Sequence, residues 1–254
     1  MAGFDDNDLT CNAFLGGQLH LWQPESGYRA GVDPILLAAA TPAQTGQSVL
    51  ELGCGAGAAI LSLGARVPGL ALTGVELQPN YAGLARRNAG ENRIDLEVVQ
   101  ADLNALPSEL RQRQFDHVIA NPPYYREGAH SSAQDAGRSR ALGEVTPLAD
   151  WIAVAAKRLA PKGYLHVIQR ADRLPDLLAA CAGRMGSPEV LPLSARADRK
   201  PDLIVLRARK GGRAAFILHA PRILHEGSRH ERDGESYTAE IKEVLRDGAA
   251  LVWP

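Results

Sequence analysis

Four consecutive residues, Asn121-Pro122-Pro123-Tyr124, combine what is needed to hold a planar amino group for attack. An amino nitrogen conjugated to a ring or a carbonyl is a poor nucleophile because its lone pair is delocalised. If the Asn121 side-chain carbonyl and the Pro122 backbone carbonyl both accept its N–H groups, the nitrogen can pyramidalise and aim its lone pair at an electrophile. The paired prolines stiffen the turn and have no N–H to compete for those acceptors. Tyr124 offers an aromatic face on which an extruded base can stack, recovering about 1–3 kcal/mol of the unstacking cost. No general base is obligatory, since the proton leaves after the nitrogen has become cationic. Asn121, Pro122 and Tyr124 are thus the candidate catalytic residues, with Pro123 and Tyr124 against the substrate.

The electrophile would come from a second segment, Glu51-Leu52-Gly53-Cys54-Gly55-Ala56-Gly57. Gly53, Gly55 and Gly57 permit positive φ and remove side chains that would keep a ligand off the backbone. By itself this loop leaves two cofactor classes open, because Gly53, Gly55 and Ala58 also satisfy the dinucleotide fingerprint G-x-G-x-x-G/A. Three acids tilt the choice. Glu51 can meet a positively charged amino acid head group but would repel a pyrophosphate. Glu76 stands where ribose hydroxyls are bound, and Asp102 can accept a hydrogen bond from an adenine amino group. Carboxylates without a cation suit a cationic sulfonium cofactor, S-adenosylmethionine, and Asn121 is expected to touch it as well. Each acid alone reads equally well as a surface residue at a strand end; what argues is that the three end consecutive strands and converge on one sheet edge.

The elements that must position these residues follow a regular alternation of short β-branched or Leu-rich runs with Ala-rich stretches, the pattern of a doubly wound α/β sheet. Strands are expected over Ser48 to Leu52, Ala71 to Glu76, Leu96 to Gln100, Phe115 to Ala120 and Tyr164 to Gln169, with two more at Leu203 to Arg207 and Ala214 to His219. Helices are expected over Ala58 to Arg66, Pro79 to Ala89 and Pro147 to Leu159, the second with Pro at its first turn and the last stopped by Pro161 and Gly163. In such a sheet a ligand lies at the carboxyl ends of the strands, near the point where strand order reverses. The glycine loop and the Asn-Pro-Pro-Tyr turn both fall there. The stretch Tyr125 to Val145 has neither periodicity and is longer than a connector needs to be.

At 254 residues and 45% hydrophobic content the chain can bury one sizeable core. Residues 1–47 read as an extension with a leading helix beside the cofactor, and 48–254 as one compact catalytic domain. The apolar stretch Pro34 to Gln47 is too short and interrupted to cross a bilayer, and no signal-peptide pattern opens the chain, so a cytoplasmic protein is expected. Cys11, Cys54 and Cys181 are too scattered for a disulfide framework or a metal site. A net charge of −1 carries no global sign of nucleic-acid binding. Residues 196–232, however, hold ten Arg or Lys against four acids, which reads either as a solvated face or as a basic surface.

At these residues the sequence resembles the class I Rossmann-like methyltransferases, with Glu51 to Gly57 similar to their first motif and Asn121 to Tyr124 to their amino-methylating fourth motif. It resembles most the bacterial valine-tRNA adenine-N6 methyltransferases. Tyr28 to Leu37, with Gly31-Val32-Asp33, looks like that family's leading segment; Tyr125 is similar to the second tyrosine of its N-P-P-Y-Y; and Tyr237-Thr238 before a short helix resembles its closing segment. The resemblance implies a seven-stranded, mostly parallel sheet with an antiparallel C-terminal hairpin. It also implies S-adenosylmethionine as donor, Asp33 beside it, and a tRNA substrate met by Tyr125, Arg126, Arg138, Arg140 and the basic C-terminal stretch.

Other readings stay open at this point. A glutamine side-chain amide is also a planar amino group, so a protein glutamine methyltransferase would use the same motif. Those of release-factor type carry a helical N-terminal domain, whereas the stretch up to Gln47 is Gly-rich and reads as non-helical at its start. Ribosomal or DNA amino groups are further acceptors. A non-catalytic nucleotide- or RNA-binding module would have no need of the amino-orienting turn. A dehydrogenase would want a proton donor, and His117, within a strand, reads as structural.

Overall fold

The computed structural model describes residues 4–124, 146–227 and 236–254. An N-terminal hairpin, β1 (Leu9–Phe14) and β2 (Leu19–Pro24), leads to α1 (Asp33–Ala40). There follow β3 (Ser48–Leu52), α2 (Ala58–Arg66), β4 (Ala71–Glu76), α3 (Pro79–Glu91), β5 (Leu96–Gln100), α4 (Ser108–Gln112) and β6 (Phe115–Ala120). Beyond 145 come α5 (Leu148–Arg158), β7 (Leu159–Arg170), α6 (Leu174–Cys181), β8 (Gly186–Ser194) and β9 (Leu203–Arg209). Two short strands, β10 (Ile217–Leu218) and β11 (Arg222–Ile223), precede α7 (Ala239–Lys242), which widens into a π turn at Glu243–Asp247.

The main sheet runs β10-β8-β9-β7-β6-β3-β4-β5, with β11 also on β8. Its pairs from β5 to β7 are parallel, and β9 is inserted antiparallel to both β7 and β8. This is the expected doubly wound sheet with its antiparallel C-terminal hairpin, but among the described residues it has nine strands rather than seven, because the two-residue strands β10 and β11 add to the outer edge of β8. The central strands β3, β4 and β6 are buried almost throughout because helices cover both faces. Alternation sends Val49, Ile119 and Ile168 into one core with α1 and α2, and Leu50, Val118 and Val167 into the other with α5 and α6. Each such side chain contributes about 1.5–3 kcal/mol on burial.

The hairpin is where sequence and structure part. The expected strand over Ala214 to His219 shrinks to Ile217–Leu218, and β9 pairs instead with Gly186–Ser194. Two prolines in β8 conceal its strand character. Pro188 falls in the register shift between Gly186 and Glu189, and Pro192 lies between the segments paired with β10 and β11, so no ladder bond is lost on that side. The apolar run that suggested the other strand is exposed: Phe216, Ile217 and Leu218 all face out.

The N-terminal hairpin, unplaced by the sequence, is stitched to α3 by two asparagines one helical turn apart. Asn88 accepts from Trp22 N–H at 2.8 Å and donates to Trp22 O at 3.1 Å. Asn92 does the same with His20, at 2.9 and 2.6 Å. The spacing of i, i+4 on the helix matches i, i+2 on the strand, so the free edge of β2 is satisfied by side chains. Asn88 also donates to Ala56 O at 2.9 Å, tying the hairpin to the glycine loop.

His117 and His166, neighbours on β6 and β7, are structural. His117 Nε2 meets Gln47 Oε1 at 3.1 Å, and its Nδ1 meets His166 Nε2 at 3.3 Å. Since Gln47 Oε1 only accepts, the network assigns the proton of each ring to Nε2, leaving both neutral. Burial drives the His117 imidazole down to about 4 and that of His166 well below its ordinary value. Both folded values lie below the unfolded one of about 6.5, so the unfolded chain binds more protons as pH falls. Stability is therefore full above about pH 6.5 and should fall by about 1.4 kcal/mol per pH unit per histidine below it. Urea midpoints of the wild type and of His117→Gln/His166→Gln between pH 7.5 and 5 should show a shallower fall in the variant; equal slopes would refute the assignment.

Candidate active site

Strand order reverses between β3 and β6, and their register puts Leu52 opposite Ala120. The next residues, Gly53 and Asn121, thus leave adjacent strands side by side, and the two motifs 68 residues apart in sequence open onto the same edge. β4 brings Glu76 to that edge and β5 brings Asp102 just past its end.

The glycine loop is held from behind and open in front. Gly53, at φ +64°, lies so close to Trp151 of α5 that a Cβ would stand 2.4 Å from the indole. Gly55, at φ +54°, would meet nothing nearer than the Tyr28 ring at 3.8 Å, which leaves space between that ring and the backbone. Glu76 Oε2 accepts from Gly55 N–H at 2.9 Å and Oε1 from Gln78 N–H at 2.8 Å, so one carboxylate clamps the loop to the end of β4. Glu51 accepts from Ile60 N–H at 3.0 Å and thereby caps the first turn of α2, whose preceding residue Gly57 has no side chain to do so. Burial pushes both carboxyls above the ordinary range, Glu51 further raised by the charge of Glu76. Among the described residues neither is paired with Lys or Arg. A glycine cradle backed by two buried, unneutralised carboxylates fits a cation and is unsuited to a pyrophosphate. Asp102 is exposed, and its Oδ1 accepts from Asn104 N–H at 2.8 Å.

The Asn-Pro-Pro-Tyr turn is oriented by neighbours on both sides. Asn121 Nδ2 donates to Tyr28 Oη at 3.4 Å, which directs Oδ1 elsewhere as an acceptor. Tyr28 is pinned in turn, its N–H donating to Tyr81 Oη at 3.0 Å and its carbonyl accepting from the same hydroxyl at 3.1 Å. The Tyr124 hydroxyl donates to Asp33 Oδ2 at 2.5 Å, at the start of α1. Burial, with Asp33 beside it, keeps that phenol protonated far above the ordinary tyrosine range. Asp33, expected beside a cofactor, is thus seen anchoring the hydroxyl end of the Tyr124 ring. Pro122 is buried and Pro123 exposed. The Pro122 carbonyl accepts from Gln169 Nε2 at 3.2 Å.

Three residues of this site were not singled out from sequence as contacts: Tyr28, Trp151 and Gln169. Gln169 had a visible signal, an amide closing the apolar strand Tyr164 to Gln169 at its carboxyl end. Trp151 and Tyr28 had none, since nothing local says what a helix face or an extended segment will cover.

The basic stretch is divided by the fold. Because Leu203 pairs with Arg170, the connection holding Arg196, Arg199 and Lys200 lies at the carboxyl edge of the parallel strands, with the site. Arg209 pairs with Tyr164, so Arg209, Lys210 and Arg213 lie at or near the opposite edge. Several cations are spent on structure. Arg196 is buried and donates to Glu226 O and Gly227 O. Arg207 pairs with Glu189 at 2.7 Å and stacks on Trp253, and Arg222 donates to Val252 O. The expected substrate contacts Tyr125, Arg126, Arg138 and Arg140, and the basic residues Arg229 and Arg232, lie outside the described residues. No helix among the described residues is long and apolar enough to cross a membrane.

Comparison with known proteins agrees with this geometry. The family model "Methyltransferase small domain" matches residues 31–186. A tRNA1(Val) (adenine(37)-N6)-methyltransferase of Porphyromonas gingivalis is 31% identical over 65% of this chain and 68% of its own length. One of the same name from Shewanella sp. is 31% identical over 61% of this chain and 66% of its own length, so the match spans about two thirds of these relatives. Among solved structures, that of a predicted O-methyltransferase from Agrobacterium tumefaciens superposes with a TM-score of 0.70 at 28% identity, covering 86% of this chain and 97% of that one. A T. thermophilus 16S rRNA methyltransferase in complex with AdoMet and guanosine shares the fold, with a TM-score of 0.58 at 22% identity over 80% of this chain and 50% of that one. From the strand-end arrangement of both motifs and from these matches, the chain belongs to the methyltransferase small domain family.

Proposed function

We propose that the protein methylates the N6 amino group of an adenine in tRNA, with S-adenosylmethionine as donor. The observation that carries the reading is the pairing of Leu52 with Ala120, which sets a cation-suited glycine cradle directly beside Asn121. Gly53, Gly55, Gly57, Glu51, Glu76, Asp102 and Asp33 would hold the cofactor, whose sulfonium supplies an electrophilic methyl group when bound. Asn121 Oδ1 and the Pro122 carbonyl accept the two N–H groups and localise the lone pair on nitrogen. The Tyr124 ring, locked by Asp33, stacks on the base, with Pro123 beside it. Residues 1–47 serve to bring Tyr28 and Asp33 to the site. Two acceptors suit an NH2 group; an alcohol, with one proton, would leave one of them unmet, which favours nitrogen over the oxygen acceptor in the Agrobacterium protein's description.

Adenine and tRNA are supported by the names of the relatives at 31% identity. The connection with Arg199 and Lys200, together with Arg126, Arg138 and Arg140, would supply phosphate contacts. A tRNA substrate puts the work in the cytoplasm. Transfer of labelled methyl should be measured on total tRNA, ribosomal RNA, DNA and release factor side by side, followed by nucleoside digestion. Label is expected in tRNA as N6-methyladenosine. Label on protein and none on RNA would sink the adenine reading and favour a glutamine amide.

A further inference from the structure

We infer that Gln169 is the residue that sets the direction of the Pro122 carbonyl, and so positions one of the two acceptors on which amino methylation depends. The inference rests on the methyl-transfer reading above. The reason begins in the turn itself. Two consecutive prolines have no N–H, so neither can fasten a carbonyl of the turn; the Pro123 ring confines ψ of Pro122 to the extended region, which sets the coarse direction of its carbonyl and leaves the fine direction to a hydrogen-bond partner. A donor must come from elsewhere. Gln169, at the carboxyl end of β7 next to β6, is fully buried, at 0% exposure. Its Nε2 donates to Pro122 O at 3.2 Å and reaches Pro123 O at 3.5 Å, while its Oε1 accepts from Arg170 N–H at 2.9 Å. The amide orientation is forced: two carbonyls on one side accept only, and an N–H on the other donates only. Gln169 therefore serves the turn on one lone pair of the Pro122 oxygen and leaves the second for a substrate N–H.

Position matters more here than basicity. A misplacement of about 1 Å in a reacting group costs on the order of 100-fold in rate, and rotation of ψ within the range that Pro123 leaves moves the Pro122 oxygen by a substantial part of that distance. Gln169 is fully buried behind the turn with its amide committed to backbone groups, so it acts through Pro122.

The test uses Gln169→Leu, which removes the donor, and Gln169→Glu, which keeps the shape and retains a donor only while its carboxyl is protonated. With Gln169→Leu, kcat should fall about 10- to 100-fold on whichever planar amino acceptor the wild type methylates. KM for that acceptor and calorimetric affinity for S-adenosylmethionine should stay within about 3-fold. With Gln169→Glu, kcat relative to wild type should fall as pH rises and the carboxyl ionises against the two carbonyls. A crystal structure of Gln169→Leu should show the Pro122 carbonyl turned from its direction, a readout that needs no activity at all. The inference is overturned if that carbonyl holds its direction, if kcat is unchanged, or if cofactor affinity and thermal stability fall in step with kcat. A wild type that methylates no tRNA would instead count against the substrate, and the carbonyl direction would still decide the role of Gln169.

Discussion

Asn121→Ala should lower kcat by about 10²- to 10³-fold, the usual cost of removing one hydrogen-bonding group aimed at a reacting atom, while leaving affinity for S-adenosylmethionine within a few-fold. Asn121 stands one residue past β6, its Nδ2 committed to Tyr28 and its Oδ1 available as an acceptor. Losing the side chain removes one of two acceptors for the amino group. The nitrogen lone pair then stays delocalised, and the barrier rises without a matching change in the ground-state binding of the cofactor. Asn121→Asp keeps an acceptor oxygen and should retain more activity than the alanine variant. Single-turnover methyl transfer beside calorimetry separates the two effects. Turnover of Asn121→Ala close to wild type would refute the orienting mechanism.

Glu76→Gln should do the reverse, weakening cofactor binding by about 100-fold, as the loss of a charged hydrogen-bond partner worth 1.5–3 kcal/mol implies. The substitution is isosteric, so cavity formation is not the cause. Both carboxylate oxygens accept backbone N–H groups, from Gly55 and Gln78. An amide can satisfy only one, and must turn its NH2 toward the other donor. The glycine loop is released at Gly55, and a negative charge is removed from a site suited to a cation. Tm should drop modestly, because Gly55 and Gln78 sit at a loop rather than in the core. Affinity within about 3-fold of wild type by calorimetry would show that Glu76 neither shapes the cradle nor holds the cofactor. Taken together, the two variants should separate binding from chemistry, with the effect of Glu76→Gln on the donor side and that of Asn121→Ala on the acceptor side.

Legibility from sequence followed the range of the forces involved. The glycine loop, the paired prolines and the alternation of strands and helices are local: each is dictated by φ preferences, missing N–H groups or burial period within a few residues. They determined a doubly wound α/β fold and a planar amino acceptor, and the strand-end acids pointed to one sheet edge. Register and packing are not local. Tertiary structure alone decided that Glu51 spends an oxygen on capping α2, that Asp33 locks Tyr124, and that the amide of Gln169 supplies the donor the two prolines lack. It also showed β8, whose prolines are harmless only because of where its neighbours pair, and split the basic stretch between opposite edges of the sheet. A one-dimensional charge count cannot see that split, because β9 runs from the site's edge at Leu203 to the opposite edge at Arg209 and carries Arg209, Lys210 and Arg213 away from the site.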